Sequence, residues 1–173
     1  MARVTTESAS EDVPGGDAAA IRAVHRAAFP TAGEAALVDR LREGDRFDPS
    51  LSLVARADDG TVVAHALLSL VDVEGEWDGL VLAPVAVVPA RQGEGVGSAL
   101  VRAALARARE AGWDAVFLHG SPAFYPRFGF RPAGELGFEN PFETSAEEFM
   151  VAVLTDVRLD GGRLGYPPAF DAL

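Results

Sequence analysis

Two patterns of apolar and polar positions alternate along the chain. Residues up to about Gly16 are polar and loose, with only "RVTTE" able to add an edge strand, so 1–16 reads as an N-terminal arm and 17–173 as one domain. "DAAAIRAVHRAAF" sets Ile21, Val24, Ala28 and Phe29 near one helical face, and "TAGEAALVDRLREG" does the same with Leu37, Val38 and Leu41. The period then falls to two. "SLSLVARADDGTVVAHALLSLVDVEG" predicts two strands joined at Asp59-Gly60, and after a turn at "EGEWDG" the run "LVLAPVAVVP" predicts a third, largely buried one. Helical spacing returns over Ser98–Ala111, with Leu100, Ala103, Ala104 and Ala108 inward and Gly112 as the stop. "DAVFLHG" is again a buried strand, which makes strand, helix and strand a right-handed parallel crossover. "SPAFYPRFG" predicts one short helix capped by Ser121 with Pro122 in its first turn, "EEFMVAVLTDV" a late strand, and "GGRLGYPPAF" a closing loop. There are no internal repeats.

Composition removes several function classes. At 173 residues and 49% hydrophobic the chain suits one well-buried core. Its net charge of -11 opposes phosphate backbones and anionic membranes, so neither nucleic acid nor membrane is expected as a partner. All fifteen basic residues are arginine. The lack of lysine excludes a Schiff base, a lysine base and a P-loop lysine; the lack of cysteine excludes disulfides, thiolate zinc sites and a cysteine acyl-enzyme. His25 and His65 sit in a helix and a strand without ligand-spaced partners, so no metal is expected. The N-terminus has no apolar h-region and the longest apolar run, Leu80–Val88, is short and broken by proline, pointing to a soluble, cytoplasmic protein.

The stretch "VAVVPARQGEGVGSAL" joins a buried strand to a helix through three glycines. Free backbone N–H groups and the positive end of the helix dipole converge there, and pyrophosphate is the natural ligand. A Walker A loop needs the missing lysine. A dinucleotide GxGxxG would need glycine at Ser98 or Leu100, and both frames fail.

What fits is Gln-x-x-Gly-x-Gly at Gln92, Gly95 and Gly97, which resembles motif A of the GNAT N-acetyltransferase superfamily. "FYPRFGF" downstream matches that family's Tyr-x-x-x-Gly-Phe, and "AAFPTAGEAALVDRLR", "GSPAFYPRFGF" and "GYPPAF" look like its YhbS-like branch. The resemblance implies an α/β GNAT fold: a mixed, mostly antiparallel central sheet, helices on both faces and a splayed central strand pair. It implies acetyl-CoA as co-substrate, with its pyrophosphate on the backbone of Gln92, Gly93, Glu94, Gly95, Val96, Gly97 and Ser98 and its pantetheine arm paired with Val85, Ala86 and Val87. Pro84, which lacks a ladder donor, suits an edge, a bulge or a splayed strand. Ser121 stands where the branch commonly has an acid, and its hydroxyl is a candidate for contact with CoA.

The same resemblance puts Tyr125 beside the CoA sulfur as general acid for direct acetyl transfer to an amine. The general base is open. "LVLAPVAVV" carries no acid where many of these enzymes have a glutamate. His119 ends a strand facing the cofactor and has a suitable intrinsic pKa. Glu34 fills an acidic slot of the YhbS-like branch, yet Thr31-x-x-Glu34 also reads as a capping box. Glu76 and Asp78 in the turn before the third strand could act through water. The acceptor stays open among small amines and peptide or protein amines, and the chain is expected as monomer or homodimer. A CoA-binding sensor that has lost turnover is the rival reading.

Overall fold

A computed structural model describes residues 2–7, 17–74 and 78–172, with only the backbone of Asp78. Nine strands, β1 (Arg3–Thr6), β2 (Ser52–Arg56), β3 (Val62–Val73), β4 (Asp78–Val87), β5 (Ala115–His119), β6 (Arg131–Pro132), β7 (Phe138–Glu139), β8 (Phe149–Val153) and β9 (Gly162–Gly165), form a sheet whose main order is β1-β2-β3-β4-β5-β8-β6. Among the described residues only β4–β5 and β7–β9 pair in parallel; every other pairing there is antiparallel. Three helices flank it: α1 (Ala18–Ala28), α2 (Gly33–Glu43) and α3 (Val96–Glu110). The mixed, mostly antiparallel sheet implied by the sequence is the one observed.

The helices divide between the two faces because alternate strand residues point opposite ways. On one face Leu100, Val101, Ala104 and Ala108 of α3 pack with Leu53, Ala64, Ala66, Leu68 and Leu82. On the other, Leu37 and Leu41 of α2 meet Leu67, Val71, Val81 and Phe117, while Ile21 and Val24 of α1 join Val38, Val54 and Ala86. The β2–β3 hairpin turns at Asp59-Gly60 as its sequence demands, with Gly60 at φ +88° and Thr61 N–H donating to Asp59 Oδ1 at 2.9 Å.

One option left open by the sequence is decided, and three features depart from its pattern. The strand option in "RVTTE" is taken: β1 pairs with β2, and Glu7 behind it is buried, accepting hydrogen bonds from Arg42 and Ser52; residues 8–16 of the arm lie outside the described residues. Helix α3 begins at Val96, because Gly95 rather than Gly97 makes the turn. "SPAFYPRFG" forms a turn followed by a 3₁₀ helix at Tyr125–Phe128. In the closing segment, Gly162–Gly165 is a strand against β3 and β7; glycine-rich and four residues long, it carries no alternation to read.

The two histidines without metal-ligand spacing join a buried polar relay. His25 Nε2 lies 2.8 Å from His65 Nδ1, and His65 Nε2 lies 2.8 Å from Ser52 Oγ, which donates to Glu7. Since Ser52 gives its proton to Glu7, His65 must donate through Nε2 and accept at Nδ1, so His25 donates from Nε2. His25 Nδ1 is then a bare, buried lone pair, and no partner among the described residues reaches it. Both rings are neutral: burial lowers His25 to about 4 and pushes His65 well down. No group of three or more potential metal ligands occurs among the described residues.

Candidate functional site

Between β4 and α3 the chain makes two left-handed turns, Gly93 at φ +81° and Gly95 at φ +84°. A Cβ at either would meet nothing within 4 Å, so backbone conformation rather than crowding requires glycine. Gly95 is the N-cap of α3 and no side chain caps the helix. The first bond back is from Ala99 N–H to the Gly95 carbonyl at 3.0 Å, which leaves the N–H groups of Val96, Gly97 and Ser98 without helical partners. Gln92 anchors this loop to the sheet, its Nε2 donating to the Val87 carbonyl at 3.0 Å. The Glu94 side chain turns outward, 3.5 Å from Arg91, so only its backbone belongs to the loop. The geometry suits an anion of pyrophosphate size and offers it no side-chain competitor.

Beside this loop the sheet opens. β4 and β5 keep parallel register only at Leu80 with Val116 and Val81 with Phe117. Two β4 residues, Ala83 and Pro84, then stand opposite the single Leu67, so Pro84 occupies a bulge. Val88 N–H donates to the Val63 carbonyl, and antiparallel alternation therefore turns the main chain of Ala86 toward His65 of β3 and that of Val85 and Val87 into the gap. This corrects one expectation. Ala86 cannot present its backbone to a pantetheine arm, and its side chain is 2% exposed in the core below α1.

Tyr125 lies at the far side of the gap, its ring against the backbone of Gly120, where a Cβ would stand 2.4 Å from Cε2. Phe124 and Phe130 meet the ring edge-on. Its hydroxyl makes no hydrogen bond among the described residues, and burial raises its pKa, keeping it protonated. Ser121 caps the turn that presents this ring: Oγ accepts from Ala123 N–H at 3.2 Å, and its carbonyl accepts from Tyr125 N–H at 3.2 Å.

The base candidates separate. His119 stacks on Phe149, with Nδ1 2.9 Å from Thr144 Oγ1 and Nε2 3.0 Å from Tyr166 Oη. Both nitrogens are engaged, and burial lowers the ring to about 4 against the opposing charge of Glu148. Glu34 is different. The capping box does not form, because α2 takes Ala32 as N-cap and Thr31 Oγ1 instead receives Gly33 N–H at 3.4 Å. Glu34 is left with Oε2 buried and unpartnered, one turn before Val38, which packs in the cluster that holds Ala86 of β4. Glu76 and the Asp78 side chain lie outside the described residues.

Three contributors escaped the sequence reading. Gly120 opens the stretch "GSPAFYPRFGF" but carries no left-handed φ, and the ring above it is what explains a glycine there. Thr144 and Tyr166 reach His119 from segments 25 and 47 residues away, a proximity that spacing does not encode.

With loop, gap and ring in place, comparison gives the class. Residues 18–130 match the Acetyltransferase (GNAT) family, and the chain belongs to it. It is 41% identical over 135 residues, 76% of this chain and 74% of the other, to a protein described as an uncharacterized N-acetyltransferase, YjhQ, from Escherichia coli (strain K12). The crystal structure of the GNAT family N-acetyltransferase YhbS from Escherichia coli in complex with CoA superposes with a TM-score of 0.87 at 33% identity, covering 98% of this chain and 92% of that one. A GNAT family acetyltransferase from Brucella melitensis, solved with acetyl-CoA, gives 0.77 at 33% identity and covers 99% of both chains.

Proposed function

We propose that the chain is an N-acetyltransferase that binds acetyl-CoA and passes its acetyl group directly to an amine. The observation that carries this is the uncapped N-terminus of α3 beside an opened strand pair, with a protonated tyrosine hydroxyl, free of hydrogen-bond partners among the described residues, across the gap. The relatives solved with CoA and acetyl-CoA support the same ligand here. Backbone N–H groups from Gly93 to Ser98 hold the pyrophosphate, while Gln92 spends its own N–H on the Pro89 carbonyl, and the main chain of Val85 and the N–H of Val87 pair with the pantetheine arm as an added strand would.

Acetyl-CoA supplies an acetyl thioester when bound. Tyr125 gives its hydroxyl proton to the departing thiolate, a transfer uphill by about 1.5 pKa units from the intrinsic values and by more in this buried setting. Glu34 takes the proton lost by the amine. It is the one candidate with a buried, unpartnered oxygen, whereas both His119 nitrogens are bonded. A lysine-like amine is only about one part in a thousand neutral near pH 7.4, a handicap of roughly 4 kcal/mol, so a base matters more for that class than for an α-amine.

The test is thiol release from acetyl-CoA against a panel of amines, read beside the melting temperature. CoA at about 100 times its dissociation constant is expected to add roughly 2.7 kcal/mol of stability. Tyr125→Phe keeps the ring and is expected to lose about 10²-fold in kcat with CoA affinity retained, and a donor with a more acidic thiol should recover part of the loss. No stabilisation by saturating CoA overturns the proposal. Apart from Asp78 at its first position, whose side chain lies outside the described residues, β4 bears no acid, which favours one alternative, a CoA-binding module without turnover; slow thioester hydrolysis indifferent to every amine is its signature.

A further inference from the structure

On the far side of β3 and β4 from the gap, the edge of β3 is uncovered between two partners. β2 pairs with β3 up to Ser52 opposite Leu67, and β9 takes over at Gly165 opposite Asp72. Positions 68–71, about 13 Å of strand, have no strand partner on that side among the described residues. Glu74 N–H donates to the Arg163 carbonyl, so alternation aims the N–H and C=O groups of Leu68 and Leu70 outward at this opening, where no hydrogen bond meets them among the described residues. Prolines keep it open. Pro167 falls opposite Leu70, where continued pairing of β9 would need a donor, and Pro49 starts the 3₁₀ turn that carries the chain into β2.

The opening is the floor of a cleft of about 690 Å³. Leu41 and Phe47 wall one side and Tyr166, Pro168 and Ala169 the other, and Arg40 stands at the rim. Arg40 makes no ion pair among the described residues, in contrast to Arg46, which pairs with Asp72 at 2.9 Å. Asp45 and the Arg46–Asp72 pair are the other charges in the lining, and in a chain of net charge -11 the unpaired guanidinium of Arg40 asks for a carboxylate.

We propose that this cleft binds a short extended peptide segment that adds as a strand to β3 at Leu68 and Leu70, lays apolar side chains against Leu41, Phe47 and Pro168, and offers a carboxylate to Arg40. Alternating donors and acceptors at strand spacing are what the bare edge requires, and a peptide backbone supplies them. The site is additional to the acetyl site. A backbone lying beside β3 is two to three strand spacings, roughly 10–14 Å, from the β4–β5 gap. Tyr166 spans that interval, walling the cleft while its hydroxyl reaches His119 at 3.0 Å. Its use, holding a peptide or protein acceptor by a segment remote from the reacting amine, rests on the transferase reading; its existence does not.

The experiment titrates the full chain with blocked peptides, acetyl-Val-Xaa-Val-Glu-amide, while backbone amide signals are followed by NMR. Saturable shifts and slowed hydrogen exchange are expected at Leu68 and Leu70, with the amides of Gly93 to Ser98 unmoved until CoA is added. Methylating the peptide amides that face β3 should abolish binding, and methylating the alternate ones should not. Arg40→Glu, at an exposed position, should weaken binding of these acidic peptides by about fivefold, the scale of one rim charge. Ala169→Trp, which fills the cleft, should remove binding. Absence of saturable shifts with every peptide overturns the proposal. So does protection of Leu68 and Leu70 that rises with protein concentration alone, since a second copy would then cover the edge. CoA-induced stabilisation judges the transferase reading separately, so the two fail independently.

Discussion

The Tyr125 ring lies so close to Gly120 that a Cβ on the glycine would stand 2.4 Å from Cε2 and 2.9 Å from Cδ2. The glycine therefore sets where the hydroxyl goes. Gly120→Ala must push the ring off its seat, and turnover is expected to fall by about tenfold or more with CoA affinity largely kept, as for loss of a positioned acid. In a double-mutant cycle, Tyr125→Phe on top of Gly120→Ala should cost far less than it does alone, because both changes remove one interaction. Full additivity in kcat would separate the two residues.

The glycine loop yields a prediction about stability in which two neighbours go opposite ways. Gly95 holds φ +84°, so Gly95→Ala forces a left-handed alanine and should cost about 1–2 kcal/mol. Gly97 is already helical and a Cβ there would meet Val87 Cγ2 at 3.6 Å, an ordinary contact. Gly97→Ala should be stabilising by up to about 0.5–1 kcal/mol. Denaturant midpoints of the two variants without ligand decide the matter, and equal destabilisation would contradict the loop geometry.

How far these features could be read in the sequence follows from how local their causes are. The hairpin at Asp59-Gly60, the α3 stop at Gly112 and the anion-shaped loop were legible because each is fixed by residues within a few positions of one another. Pro84 was legible only as a choice among edge, bulge and splay, since one missing donor fits all three; the partner strand made it a bulge. The relay from His25 to Glu7 was not legible, because it joins α1, β3, β2 and the segment after β1 through contacts 13 to 45 residues apart. Glu34 was legible as an acid but not as an unpaired one. A start to α2 one residue later than the capping box requires took its backbone partner away.

The histidines predict an acid-labile fold. All three have pKa values lowered by burial, His25 and His119 to about 4 and His65 well down. The unfolded chain takes up these protons near pH 6.5 and the folded chain does not, so stability is intact above that pH and falls as pH drops toward 4. Each histidine held neutral contributes about 1.4 kcal/mol per pH unit inside that window. His25→Gln should flatten the dependence, since an uncharged side chain takes up no proton in either state. Urea midpoints at pH 7, 6 and 5 measure it; a midpoint constant from 7 to 5 would mean the rings protonate in place.

The last prediction assigns the base. His119, lowered to about 4, is neutral throughout the range where the enzyme would be assayed, so as a base it would place its limb of kcat/KM near 4 rather than between 6 and 7.5. It would also have to give up a hydrogen bond to Tyr166 or Thr144 before accepting a proton. Glu34 has a buried oxygen with nothing to give up. Glu34→Gln is close to isosteric, and with no capping box to lose it should leave the melting temperature nearly unchanged. Its kcat/KM toward a lysine-like amine should fall by about 10²-fold, and toward an α-amine by much less, because fewer of those amines carry the proton that must be removed. His119→Gln should lower the rate by a smaller factor that is the same for both acceptor types, as expected of a residue that lines the site. Wild-type rates in Glu34→Gln with both acceptors would return the proton to His119 or to water.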